Sequence, residues 1–235
     1  MLPLKKLFTS SVGKKLLMAL TGFGLVFFVV AHLLGNLPLY TNNAEAFNVY
    51  TESMENLGWI LNVLELGLLA TVIVHVAVAI RLRLLNRAAR GPQQYAMLRS
   101  KGGPSKSNAS SRYMIVSGVV LLGFLVLHIL QFKYGPSIKD GYVAVVQDRE
   151  LRDMHRLVFE TFKNPFFAAL YAGVMLFLGL HVRHGFWSAL QSTSVGYAGL
   201  SRPLYKTGLV LAMFLTLGFF LMPIIIYFDL YKVFT

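Results

Sequence analysis

The chain has 235 residues, of which 56% are hydrophobic and 14% charged, with a mean hydropathy of +0.60. A soluble domain of this size needs a larger charged surface, so the composition excludes an ordinary globular protein and points to an all-α integral membrane protein. The net charge is +12 and there is no cysteine. The basic residues lie between apolar runs, which argues for membrane orientation rather than nucleic acid, and the lack of thiols rules out disulfides, thiolate-bound zinc, iron–sulfur clusters and covalently attached haem.

Five apolar runs are long enough to cross a hydrocarbon core, which takes ~20 residues. The expected spans are 16–38, 57–80, 113–134, 165–190 and 205–228. The first follows Lys5, Lys6, Lys14 and Lys15. It is too long for a signal-peptide core, and no small-residue cleavage pattern follows it, so it reads as a retained span. The next loop carries Glu45, Glu52 and Glu55. The second span holds Glu65 and His75, and a basic connection from Arg81 to Arg112 follows it. Residues 91–111 of that connection are rich in Gly, Pro, Ser and Lys and read as a loop. The third span holds His128. Residues 137–163 read as a short amphipathic helix before Asn164-Pro165 opens the fourth span, which carries His181 and His184. Together, residues 1–235 read as one membrane domain.

Three regions on one side of these spans hold fifteen basic residues and no acidic one: residues 1–15, 81–112 and 183–206. The positive-inside rule places them, and the N-terminus, in the cytoplasm. The expected location is a membrane facing the cytoplasm, crossed several times.

Four histidines fall in two matched pairs along this weave. At ~1.5 Å rise per residue, His32 and His128 lie ~24 Å and ~22 Å from the cytoplasmic edge, and His75 and His181 ~8–9 Å and ~9–14 Å. Two histidines facing each other at one depth are what a haem iron needs above and below it. The expected architecture is therefore a five-helix bundle around two stacked b-type haems. His75 and His181 would hold the inner iron, and His32 and His128 the outer. With both axial positions filled, such a haem transfers electrons and offers no site for oxygen. A weak repeat supports the pairing. Gly22 and Gly118 each precede a histidine by ten residues, and Gly67 and Gly173 each precede one by eight.

Other polar residues carry two readings each. His184 is an alternative to His181 as ligand, or it faces a propionate or solvent. His155 is a solvated loop histidine, or part of a quinone or propionate site on the outer face. Glu65 is a buried proton-exchanging carboxylate level with the outer pair, or an interfacial residue at a helix start. Asn36 and Arg156 join Glu65 and His155 as quinone-site candidates from side and depth.

Two longer strings carry a family resemblance. One runs Ser11-Val12-Gly13-Lys14-Lys15-Leu16 to Thr21-Gly22 and resumes at His32-Leu33-Leu34-Gly35-Asn36-Leu37. The other is Phe162-Lys163-Asn164-Pro165, then Gly179-Leu180-His181-Val182-Arg183-His184-Gly185-Phe186-Trp187. The chain resembles the type B cytochrome b subunit of succinate:quinone oxidoreductases, the five-helix, two-haem anchor of succinate dehydrogenases and fumarate reductases. The resemblance implies the same four haem ligands. It also implies a flavoprotein partner bearing the dicarboxylate site, an iron–sulfur partner, and a membrane quinone, typically menaquinone, reduced near the outer haem. A fumarate reductase branch carries glutamate two residues before the fourth ligand; Gly179 stands there, which points to succinate oxidation as the direction. The alternatives are a cytochrome b subunit of a formate dehydrogenase or hydrogenase, and a haem-free anchor or transporter.

Overall fold

The computed structural model describes residues 9–89, 113–193 and 201–233. It is dominated by helices, and five of them are long and apolar enough to cross a membrane. They are α1 (Ser11–Gly35), α3 (Trp59–Ala89), α4 (Met114–His128), α6 (Pro165–Ser192) and α7 (Ser201–Tyr227). Two shorter helices join them: α2 (Ala44–Glu55) and α5 (Met154–Lys163). The chain is thus an all-α, multi-pass membrane protein by length and composition of its helices.

The expected spans recur with shifted ends. The second ends not at residue 80 but at Ala89. Its 31 residues make a rod ~46 Å long, well beyond a ~30 Å core. The extra turns carry Arg81, Arg83 and Arg87, all exposed, whose long stems let an apolar helix run on into a polar zone. The loop 91–111 lies outside the described residues.

The segment 137–163 is only partly the expected helix. Helix occupies Met154–Lys163, and an antiparallel hairpin precedes it, β1 (Val143–Val146) paired with β2 (Arg149–Arg152). Val143, Val145 and Val146 are β-branched and disfavour helix, and Gln147 and Asp148 both take positive φ. Two such residues between paired strands form the tight hairpin turn that matches strand twist. In α5, Asp153 caps the N-terminus by accepting from the Arg156 amide at 2.9 Å. The helix buries His155, Val158 and Phe162 along one face, with Leu157 and Thr161 beside it.

Contacts divide the chain into two compact units. The first comprises Met1–Phe27, Leu66–Gly118 and Leu180–Ala212. Within it, Phe23 meets Phe186 edge-on at 5.6 Å, and Trp187 meets Tyr205 at 5.5 Å. Arg183 donates to the Tyr205 hydroxyl at 2.8 Å. The second unit comprises Phe28–Glu65, Val119–Gly179 and Met213–Thr235. There, close helix approach needs small residues. A methyl at Gly218 would collide with the buried side chain of Leu33, and one at Gly179 with Thr216. The Tyr40 hydroxyl donates to the Gly218 carbonyl. Asn48, 2% exposed, ties α2 to the segment before α5. Its amide donates to Asp153 at 3.0 Å, and its carbonyl accepts from the His155 amide at 2.9 Å.

Candidate functional site: two histidine pairs

The first pair is His75 on α3 and His181 on α6. Their ring centres lie 6.3 Å apart, with the planes tilted by 57°. The ring facing His75 is that of His181 rather than of His184. Each ring meets a hydroxyl from another helix. Thr21 Oγ1 on α1 lies 3.0 Å from His75 Nδ1, and Ser117 Oγ on α4 lies 3.1 Å from His181 Nδ1. The glycine after each hydroxyl lies beside the same ring. A methyl at Gly22 would sit 3.6 Å from His75 Cε1, and one at Gly118 would sit 3.5 Å from His181 Cε1.

The second pair is His32, late in α1, and His128, the last residue of α4. Their ring centres are 5.7 Å apart and the planes nearly perpendicular, at 88°. Aromatic rings lie beside them. Phe28 and Phe219 stack near His32 at 5.6 and 5.8 Å. Phe124, Phe132 and Tyr171 surround His128 at 5.7, 5.1 and 6.1 Å. His128 Nδ1 is buried with no hydrogen-bond partner among the described residues. A wide helical turn, Ile129–Lys133, begins directly after His128. Turns of this type re-aim side chains and often occur at functional sites. The Arg152 guanidinium closes its end, donating to the Phe132, Gly135 and Pro136 carbonyls at 2.8 to 3.1 Å.

The spacing can be set against that of two histidines on one iron. A histidine nitrogen binds a transition metal at ~2.0 Å and lies ~1.1 Å from its ring centre, so two rings on opposite sides of one metal have centres ~6.2 Å apart. The first pair matches this, and the second is shorter by ~0.5 Å on the same measure. The donor set also fits haem. A metal held by side chains alone takes three or four of them. Two imidazoles suit an iron whose other four positions are occupied by a macrocycle.

The remaining candidates are dispersed. Glu65 forms an ion pair with Lys133 at the end of the wide turn, both side chains about two-fifths exposed. Asn36 is occupied as a helix terminator, donating to the His32 carbonyl at 2.7 Å. Arg156 bonds Glu160 one turn on at 2.7 Å and lies over the Tyr142 ring at 4.6 Å, so its charge is already matched at a solvated surface. His155 is not a solvated loop residue. It is 9% exposed, stacks on Phe159 at 4.0 Å, and buries its Nε2 without a partner among the described residues. Burial holds its pKa below the ordinary histidine value, against an opposing pull from Asp153.

Three participants were not legible as site residues. The hydroxyls of Thr21 and Ser117 stand out only once the helices are paired, although their shared position before a glycine was a usable signal. Tyr171, which donates to Gln131 at 2.8 Å beside His128, carries no local motif. No known protein family matches the chain, and no characterised protein or solved structure does either.

Proposed function

We propose that the chain is the membrane-anchor and electron-transfer subunit of a type B succinate:quinone oxidoreductase in a bacterial cytoplasmic membrane. In this reading it holds two haem b groups and carries electrons from an iron–sulfur partner to a membrane quinone, with menaquinone the expected acceptor. The dicarboxylate site belongs to a flavoprotein partner. The observation that carries the proposal is the pairing itself: four histidines from four spanning helices form two pairs of neighbouring rings, with centres 6.3 Å apart in His75–His181, the spacing of two ligands on one metal, and 5.7 Å apart in His32–His128.

When bound, haem supplies reversible one-electron chemistry at each pair. The chain's own residues do the rest. His75 and His181 would hold one haem and His32 and His128 the other, each through an imidazole nitrogen, a donor set suited to electron transfer rather than oxygen binding. Phe28, Phe124, Phe132 and Phe219 place apolar rings beside the second pair. Glu65 and His155 are the proposed proton-handling groups at the quinone, both in the second unit with the His32–His128 pair. The basic residues at the ends of the spans orient the N-terminus to the cytoplasm and offer charge to an acidic face of the iron–sulfur partner. Gly179 supports succinate oxidation over fumarate reduction. A Cβ at that position would meet the Thr216 side chain, so a glutamate there would require Thr216 to move.

The test is haem stoichiometry. Purified chain assayed by pyridine haemochrome should contain two haems b, both six-coordinate and low-spin in the oxidised spectrum. One haem or none per chain refutes the proposal.

A further inference from the structure

The two pairs differ in what holds the ring nitrogen that is not needed for a metal. Thr21 Oγ1 lies 2.8 Å from the Leu17 carbonyl, one turn back on α1, and 3.0 Å from His75 Nδ1. The hydroxyl has a single hydrogen. Placed toward Nδ1, it would leave two oxygens facing each other at 2.8 Å with nothing between them. Placed toward the carbonyl, it makes the usual back-bond of a helical threonine and leaves a lone pair free to accept Nδ1–H. Ser117 repeats the arrangement, 3.0 Å from the Met114 carbonyl and 3.1 Å from His181 Nδ1. Each relay therefore runs from imidazole N–H to hydroxyl to backbone carbonyl.

We infer that Thr21 and Ser117 are positioning residues that fix His75 and His181 as the Nδ1–H tautomer and so present both Nε2 lone pairs to a metal. The inference rests on the haem reading above. Its consequence is an asymmetry between the sites. The His75–His181 pair is set by hydrogen bonds before any metal arrives. Among the described residues the His32–His128 pair has no such relay at His128, whose Nδ1 is buried without a partner there, and stacked aromatic rings lie against both histidines instead. Outer partners of this kind fix the ring's orientation and raise ligand basicity, and losing one typically costs ~10–100-fold in metal affinity.

The sequence repeats the device. Thr21-Gly22 and Ser117-Gly118 occupy matching places in α1 and α4, and each serves a histidine on the next spanning helix. A merely structural hydroxyl has no reason to recur in front of a glycine and beside a histidine at both places.

The experiment uses the full chain purified with its partner subunits. Thr21→Val keeps the side chain's shape and removes the acceptor; Ser117→Ala removes one oxygen. Thr21→Ser and Ser117→Thr keep the relay. Three properties are read: the rate of haem transfer to a scavenging apoglobin, the low-spin g values, and the midpoint potential of each haem. For Thr21→Val and Ser117→Ala we expect one haem to be held ~10–100-fold less tightly, with its g values and potential displaced and the second haem unchanged. The haem affected should be the one that survives His32→Ala. The two conservative variants should behave as wild type. Wild type without haem refutes the haem reading itself. Wild type with two haems, and both hydroxyl-free variants unchanged in all three readouts, overturns this inference alone. Equal loosening of both haems assigns the hydroxyls to general packing and overturns it too. If Thr21→Val does not assemble, Ser117→Ala decides.

Discussion

Replacing His181 with alanine tests the pairing at the level of a single ring. Its ring centre lies 6.3 Å from that of His75, the spacing of two ligands on one metal. Removing it exposes no buried polar group, because Ser117 keeps its bond to the Met114 carbonyl at 3.0 Å. The loss to the fold is then one ring's packing, ~2–4 kcal/mol, which a haem-loaded protein can tolerate. One of the two haems should become five-coordinate and high-spin or be lost, while the other stays low-spin. The space left is that of an imidazole, with the Ser117 lone pair ready to accept its N–H. Free imidazole at millimolar concentration should therefore restore the low-spin spectrum. His75→Ala should affect the same haem, and His32→Ala and His128→Ala the other. Two unchanged low-spin haems in His181→Ala would refute the pairing, as would loss of the same haem in His181→Ala and His32→Ala.

Glu65→Gln should leave both haems and succinate oxidation by an artificial acceptor intact but slow quinone reduction; an ion pair as exposed as Glu65–Lys133 contributes only ~0–1 kcal/mol, so the fold should survive, and normal quinone turnover would remove Glu65 from the mechanism. His155 is held neutral by burial, with a folded pKa below that of the unfolded chain. The unfolded chain therefore binds more protons in that window, and the stability contributed by His155 is full above the ordinary histidine value and lost as pH falls through the depressed one. Thermal unfolding followed from about pH 8 down to about pH 5 should show this decline, and His155→Gln should flatten it; an unchanged slope refutes the assignment. Neutralising Arg81, Arg83 and Arg87 together should weaken assembly with the iron–sulfur partner. Labelling of a cysteine placed there from the outer side would contradict the proposed topology.

The long elements were legible because a membrane span is written in composition. Twenty apolar residues in a row have few alternatives, and all five spans recur. Shorter elements were not. Helix α2 lies in what reads as an acidic loop, because its mixed surface gives no strong apolar stripe; Asn43, which accepts from the Ala46 amide at 2.9 Å, was the available signal. The hairpin was hidden by the amphipathic run that follows it, although Val143 to Val146 is strand-like and Gln147-Asp148 suits a turn. At the site, depth arithmetic paired the histidines as the structure does. It could not find Thr21 or Ser117, since a hydroxyl's partner on another helix depends on rotation about the axis, which rise per residue does not contain. The same gap misplaced His155, whose burial comes from Asn48 and Phe159 rather than from anything in its own loop.

Glycines separate packing from accommodation. Any one glycine in a membrane helix is explained by close helix contact. At Gly179, Gly208 and Gly218 that explanation suffices, because a methyl there would press into Thr216, Phe186 or Leu33. Gly22 and Gly118 are different. A methyl at either would sit at ordinary contact distance, 3.6 and 3.5 Å, from a histidine carbon. Alanine would fit beside the ring and would also improve helix stability by up to ~1 kcal/mol. Packing of the helices therefore does not require glycine at these two places, and helix propensity argues against it. Yet both follow a hydroxyl that anchors a histidine, and both lie against that same histidine. The requirement is met if the space beside the ring belongs to a flat group seated on the imidazole nitrogen, which ties the two glycines to the same reading as the four ligands.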